Sequence, residues 1–248
     1  MIRFFIGYDE REAVAYHVLS HSILRHATTP VSITPLVQST LREWGLYRRA
    51  PDALASSAFS LTRFLVPELC NFRGEAIYMD CDMLCLRDPV PPMCGDEGLG
   101  RQFCWQCNRE EYAVAVCKHE YVSKREIKMD GQANFPYPRK NWSSLMVFNN
   151  EKCQTLTKEY VNAATPAELH RFAWVKDEDI RAMPLTNNWL VDEYASNPSA
   201  RILHYTLGGP WFPQWQGDHE LEWFREFDLM MPPAIVGIAG RPVGSRRA

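Results

Sequence analysis

The sequence has no run of about 18 apolar residues, the length a helix needs to cross a bilayer, so it offers no membrane span. It also lacks an excess of either charge. Against 27 Lys and Arg stand 30 Asp and Glu, a net charge of −3 with an isoelectric point near 6.2. A chain without a basic field exerts no long-range pull on nucleic acid, so no nucleic-acid partner is expected, and membrane contact is expected to be peripheral at most. Internal repeats and low-complexity blocks are missing. The N-terminus, Met1-Ile2-Arg3-Phe4-Phe5-Ile6, lacks the layout of a secretory signal and runs straight into strand-like residues. The expected location is the cytoplasm.

Metal-finger spacing is missing too. Of the eight cysteines, only Cys104 and Cys107 form a C-x-x-C pair. A structural zinc site wants a second pair, or histidines at matching spacing, and neither is present. The cysteines are expected to be reduced thiols, most of them buried as small hydrophobes.

What is present is enough apolar material, 46% of 248 residues, to fill one large core. Residues 2–7 read as a buried strand ending at Gly7-Tyr8-Asp9, and a helix is expected from there to about Arg25, with Asp9 and Glu12 at capping-box spacing. Val31 to Val37 reads as a second strand. A helix is expected over residues 56–66, with Pro67 near its end. Further short apolar strands are expected at Ala76–Met79, Ala113–Cys117, Leu145–Phe148 and Arg201–Leu203. Thr165-Pro166-Ala167-Glu168 marks another helix start. Strands alternating with helices point to an α/β sandwich with a mainly parallel central sheet flanked by helices. The globular domain is expected to span residues 1–230, with 231–248 as a loose tail and residues 118–142 as a long polar loop.

Ligands of such sheets sit beyond the carboxyl ends of the strands. Ile77-Tyr78-Met79-Asp80-Cys81-Asp82 places two carboxylates two residues apart at such an end. In extended chain they project to one side, and they repel unless a cation or a proton stands between them. Hard oxygen ligands suit Mg²⁺ or Mn²⁺. A solvated acidic turn would read the same way. In Leu203-His204-Tyr205-Thr206-Leu207-Gly208-Gly209-Pro210-Trp211, a histidine expected to face outward from a strand end precedes two glycines. That pairs a nitrogen ligand with backbone able to approach a phosphate closely, although a histidine bonded to a carbonyl beside a plain turn fits equally. The aromatics Trp211, Phe212, Trp215, Trp223 and Phe224 could line a binding site, but most are expected to pack in the core. Lys118, His119, Lys124, Arg125 and Lys128 could meet an anionic ligand. The interspersed Glu120, Glu126 and Asp130 favour an ordinary solvated loop.

Taken together, these strings resemble the retaining glycosyltransferases of the glycogenin and lipopolysaccharide-galactosyltransferase type, glycosyltransferase family 8, and among them bacterial members with unassigned acceptors. The resemblance runs from Ile6 to about Trp211 and follows the family's order: Phe5-Ile6-Gly7-Tyr8-Asp9, then Ser60-Leu61-Thr62-Arg63-Phe64 with Pro67, then the D-x-D. Trp142-Ser143-Ser144 through Asn149 comes next, then Asp177-Glu178-Asp179-Ile180 with Pro184 to Trp189, and last the His204 to Trp211 string. The resemblance implies the GT-A nucleotide-diphospho-sugar transferase fold. It implies a UDP-sugar donor, a carbohydrate or glycolipid acceptor, and Mn²⁺ or Mg²⁺ on Asp80, Asp82 and His204. Gly7, Tyr8, Asp9, Arg63, Cys81, Ser143, Ser144, Gly208 and Gly209 would then touch the donor, with Asp9 at the base. Asp177 or Glu178 would face the sugar, though an acidic cluster at a helix N-terminus explains them equally well.

Two departures stand out. Gly209 occupies the place of the lysine that usually precedes Pro-Trp, and the string is one residue shorter. Trp142-Ser143-Ser144 replaces the usual Asn-Ala-Gly. A nucleotidyltransferase would share the strand-end acids, but it wants a glycine-rich basic loop, and Gly7-Tyr8-Asp9-Glu10-Arg11 has one glycine and two acids. A silent nucleotide-sugar-binding protein is the other alternative, favoured only by the absent lysine.

Overall fold

The structure is a computed structural model that describes residues 1–50, 57–90, 111–123, 125–127, 131, 134 and 137–231. The Cys104–Cys107 pair and the tail from residue 232 onward lie outside the described residues, as do Lys124 and Lys128.

The chain begins with strand β1 (Ile2–Tyr8), whose middle residues Phe4, Phe5 and Ile6 are buried. Helix α1 (Ala13–His26) follows. Its buried residues Ala15, Val18, Leu19, Ser22 and Ile23 recur at three- and four-residue intervals, the stripe of a helix with one face on a core. Strand β2 (Val31–Val37) pairs in parallel with β1 and forms the sheet edge, where Pro35 removes no ladder hydrogen bond that a further strand would need. After α2 (Gln38–Glu43), a 3-10 turn (Thr62–Leu65) runs into α3 (Val66–Leu69). This corrects the helix expected over residues 56–66. Pro67 sits in the first turn of α3 and does not end a longer helix, because a residue without an N–H fits best where no helical bond is due.

Strand β3 (Glu75–Met79) leads through the D-x-D into β4 (Met83–Cys85). Strands β5 (Val114–Cys117) and β6 (Leu145–Asn149) are buried along their whole lengths. Helices α4 (Lys158–Ala163) and α5 (Pro166–His170) come next, and α5 is opened by the expected capping box between Thr165 and Glu168. The chain continues through β7 (Ile180–Met183), β8 (Trp189–Leu190) and β9 (Ile202–His204) to α6 (Glu220–Met230).

The main sheet has the order β2-β1-β3-β6-β5-β7. β1 runs parallel to β2 and β3, and β5 parallel to β7, while β6 opposes both its neighbours. Five strands therefore share one direction, as expected of a mainly parallel sheet. A small second sheet has the order β4-β9-β8. It shares a satellite core with α1 and α6, built from Val18, Leu84, Leu203, Tyr205, Trp215 and Trp223. Trp211, Phe212 and Phe224 pack against that core, so the C-terminal aromatics are chiefly structural. All five cysteines among the described residues are free and buried, in line with the expected reduced thiols. Among the described residues, no helix is long and apolar enough to cross a membrane.

Candidate metal and nucleotide site

The second sheet assembles the D-x-D with a residue far away in sequence. β4 pairs antiparallel with β9 in a register that sets Met83 opposite His204, and the Tyr205 N–H donates to the Asp82 carbonyl at 2.9 Å. His204 thereby comes to rest beside Asp80 and Asp82. One ligand atom from each of the three lies within 4.8 Å of the others. The side chains of Asp80, Asp82 and His204 are 13%, 17% and 2% exposed. The histidine expected to face outward is buried, because β9 is covered by its neighbours in the second core.

This donor set fits a divalent cation. Two carboxylates and an imidazole suit Mn²⁺ or Mg²⁺, and three protein ligands leave coordination positions open. His204 Nε2 lies 3.3 Å from Asp82 Oδ1, and Nδ1 lies 2.9 Å from Asn188 Oδ1. A ring that gives its Nδ1 proton to Asn188 turns a lone pair toward the two aspartates, as a metal ligand must.

Asp80 is anchored from behind. Arg63 Nη1 lies 2.9 Å from its Oδ1, and the Tyr78 hydroxyl donates to the same oxygen at 2.6 Å. Burial pushes the Asp80 carboxyl above its ordinary value, Arg63 opposes this, and the Asp82 charge adds to the rise. A nearby cation would relieve that cost. Arg63 also donates to the Ser143 carbonyl at 2.9 Å and lies over the Phe59 and Tyr78 rings.

The other expected residues take distinct places. Asp9 accepts from the Arg11 N–H and guanidinium and from the Ala58 N–H, at 2.8–3.0 Å. The expected capping box is absent: the Asp9 side chain caps a 3-10 turn (Glu10–Glu12) through Arg11, since that turn intervenes before α1. Burial raises the Asp9 carboxyl, but the bonds from Arg11 and Ala58 outweigh it and hold the group below its usual value. Tyr8 and Asp9 line a cavity of about 510 Å³ with Arg11, Gln38, Ser39 and Tyr47. At Gly7, the preceding residue, a Cβ would overlap the Phe59 ring and come within 2.8 Å of the Tyr78 hydroxyl.

Cys81 is fully buried, with its thiol 3.5 Å from Glu12 Oε2 and pushed well up by burial. The Ser143 hydroxyl lies 2.9 Å from His170 Nδ1, and Ser144 sits between Asn141 and Asn188. Burial, reinforced by Arg63, drives His170 down to about 3, so its ring is neutral. Gly208 has φ +106°, the left-handed region open to glycine. At Gly209 a Cβ would overlap the Trp211 ring. Asp177 and Glu178 stand apart, 77% and 76% exposed, in ion pairs with Arg139 and Lys176. Neither joins the Asp80–Asp82–His204 cluster. Sequence reasoning did not single out Asn188, Asn141 or His170. An asparagine or histidine that acts through a tertiary hydrogen bond carries no local pattern.

No family model matches the chain. Among solved structures, it is similar to the bifunctional glycosyltransferase WbbM, with a TM-score of 0.61 and 16% identity over 98% of this chain and 52% of that one, so it spans about half of WbbM. It is also similar to glycosyltransferase GlyE of Streptococcus pneumoniae, with a TM-score of 0.57 and 13% identity over 98% of this chain and 65% of that one. The galactosyltransferase LgtC, solved with donor and acceptor sugar analogues, gives a TM-score of 0.57 and 10% identity over 95% of this chain and 99% of LgtC. These likenesses establish the GT-A glycosyltransferase fold. A far nearer relative in sequence is the Arabidopsis thaliana protein named Protein CDI, 41% identical over a 223-residue alignment that covers 86% of this chain and 81% of that protein. The chain belongs to the family of Protein CDI, built on the GT-A fold.

Proposed function

We propose that this protein is a retaining, divalent-cation-dependent glycosyltransferase that moves a hexose from a UDP-sugar to a carbohydrate or glycolipid acceptor. The observation that carries the reading is the convergence of Asp80, Asp82 and His204 at the carboxyl end of β3 within this fold. The cavity opens beyond the carboxyl ends of the parallel strands β1 and β2, on the same sheet edge as the cluster. A nucleoside in the cavity would therefore point its diphosphate along the edge toward the aspartates, the usual ligand position in open α/β sheets. The cavity volume lies within the range of small-molecule sites.

In this reading Asp80, Asp82 and His204 would hold Mn²⁺ or Mg²⁺, which supplies positive charge to the leaving diphosphate. Arg63 and Tyr78 keep the Asp80 carboxylate aimed. Tyr8 and Asp9 meet the base, Gly208 and Gly209 offer backbone to the phosphates, and Cys81 bears its backbone between the two ligating aspartates. Ser143 and Ser144 shape the sugar end from behind. Of the two roles open to Asp177 and Glu178, their exposure and ion pairs favour the acidic turn over the sugar face.

Titration calorimetry of UDP with and without Mn²⁺ tests the reading, followed by a hydrolysis screen over UDP-, GDP- and CDP-sugars. Mn²⁺-dependent UDP binding and selective hydrolysis of a UDP-sugar are expected. Metal-independent binding would favour a silent binding protein, and preference for another nucleotide would overturn the donor assignment.

A further inference from the structure

We infer that Ser144 and Asn188 are positioning residues that select the His204 tautomer a cation can bind, through a hydrogen-bond relay anchored on the Asn141 carbonyl. The inference rests on the reading of Asp80, Asp82 and His204 as a cation site.

Each link of the relay leaves the next no choice. The Asn141 carbonyl can only accept, and the Ser144 hydroxyl donates to it at 2.7 Å. With its single proton committed, Ser144 Oγ can only accept from Asn188, whose Nδ2 lies 2.9 Å away. Asn188 must then turn its carbonyl oxygen toward His204, where Oδ1 lies 2.9 Å from Nδ1. Flipping the amide would set Oδ1 against the Ser144 lone pairs and remove the acceptor facing His204, so the relay fixes the amide. His204 must carry its proton on Nδ1, and the lone pair belongs to Nε2. Asn188 is fully buried and Ser144 is 1% exposed, so water does not compete for these bonds.

The relay works against a local alternative. Nε2 lies 3.3 Å from Asp82 Oδ1, so a ring protonated on Nε2 could donate to Asp82 and fill the space a cation needs. In the Nδ1–H tautomer two lone pairs face each other across that gap, an arrangement a cation relieves. The relay thus holds the site in a form that is unfavourable when empty and favourable when loaded. Outer partners of metal-binding histidines commonly act this way.

The first test needs no metal. In ¹⁵N-labelled, metal-free protein at about pH 8, above the ordinary histidine range, the side-chain nitrogen correlations of His204 should report the Nδ1–H form. Finding Nε2–H would overturn the relay. In Ser144→Ala the amide is free to flip. The tautomer should move toward Nε2–H, and Mn²⁺ affinity by calorimetry should fall roughly 10–100-fold. Asn188→Asp, which still accepts from Nδ1–H, should keep the wild-type tautomer and bind Mn²⁺ at least as tightly. A Ser144→Ala protein with unchanged tautomer and affinity would refute the inference. Wild-type protein that shows the Nδ1–H form yet binds no Mn²⁺ would refute the cation-site reading and leave the relay standing.

Discussion

Arg63 and Asp80 meet in an ion pair of 2.9 Å with only 7% and 13% of their side chains exposed. The same guanidinium nitrogen bonds the Ser143 carbonyl, so Arg63 ties the end of β3 to the approach to β6. The two aspartates of the D-x-D therefore carry unequal structural duties. Asp82→Asn should abolish Mn²⁺-dependent UDP binding while leaving the melting temperature close to wild type. Asp80→Asn should lose binding and also about 3–5 kcal/mol of stability, because it strands a buried guanidinium. Calorimetry and thermal melts on both variants check this, and near-native metal-dependent affinity in Asp82→Asn would remove it from the ligand set.

Asp9 is saturated with donors from Arg11 and Ala58, and its carboxylate braces the wall of the cavity. Asp9→Ala should lower stability by about 1–3 kcal/mol, the cost of hydrogen bonds to a charged group, and weaken UDP binding as the wall loosens. Free uridine should lose affinity in step with UDP. If UDP weakens and uridine does not, the residue serves the diphosphate and not the base.

Gly209→Lys looks like a return to the family's usual lysine, yet the side chain would have to start inside the Trp211 ring. Trp211 must move, and it packs on the core that supports His204 through β9. The expected outcome is a loss of about 1–3 kcal/mol in stability, typical of overpacking, with no gain in UDP affinity. Urea unfolding alongside calorimetry measures both.

Glu226 on α6 faces α1, where Arg25 Nε donates to it at 2.9 Å and His21 Nδ1 lies 2.6 Å away. Burial raises the carboxyl, but Arg25 and His21 more than reverse this and hold it below its ordinary value of 4.5. A depressed carboxyl stabilises the fold above its unfolded value and loses that contribution as pH falls through the folded one. Melting temperature should therefore drop on acidification below about pH 4.5, the ordinary glutamate value. Glu226→Gln should cost about 1.5–3 kcal/mol at neutral pH and flatten the acid limb. An acid limb identical to wild type would show that other carboxylates control it.

Much of the frame was legible because it is local. Apolar runs marked β1, β2, β3, β5 and β6, and Thr165 and Glu168 marked the start of α5 three residues apart. The strands β4, β7 and β8 were not anticipated, since two to four residues leave too little alternation to detect. At the site, the D-x-D and His204 were visible as residue types at strand ends. Their convergence depends on the β4–β9 register, which no spacing encodes. The expected place of Arg63 near the donor was drawn from a string, whereas its partner is Asp80, chosen by tertiary packing.

The reversal of β6 has a consequence for the order in which the site can form. Because β6 runs against β3, the residues that precede it, Ser143 and Ser144, reach the Asp80 end of the sheet. The aspartates are translated early, Ser144 and Asn188 much later, and His204 later still. The walls of the cavity beside Asp9 come from the first quarter of the chain and can close while synthesis continues. The cation cluster cannot be completed until β6 has turned back and β9 has paired with β4. A cation held by Asp80, Asp82 and His204 would therefore arrive too late to template the early folding of the chain. It would reward only a chain that is already nearly finished.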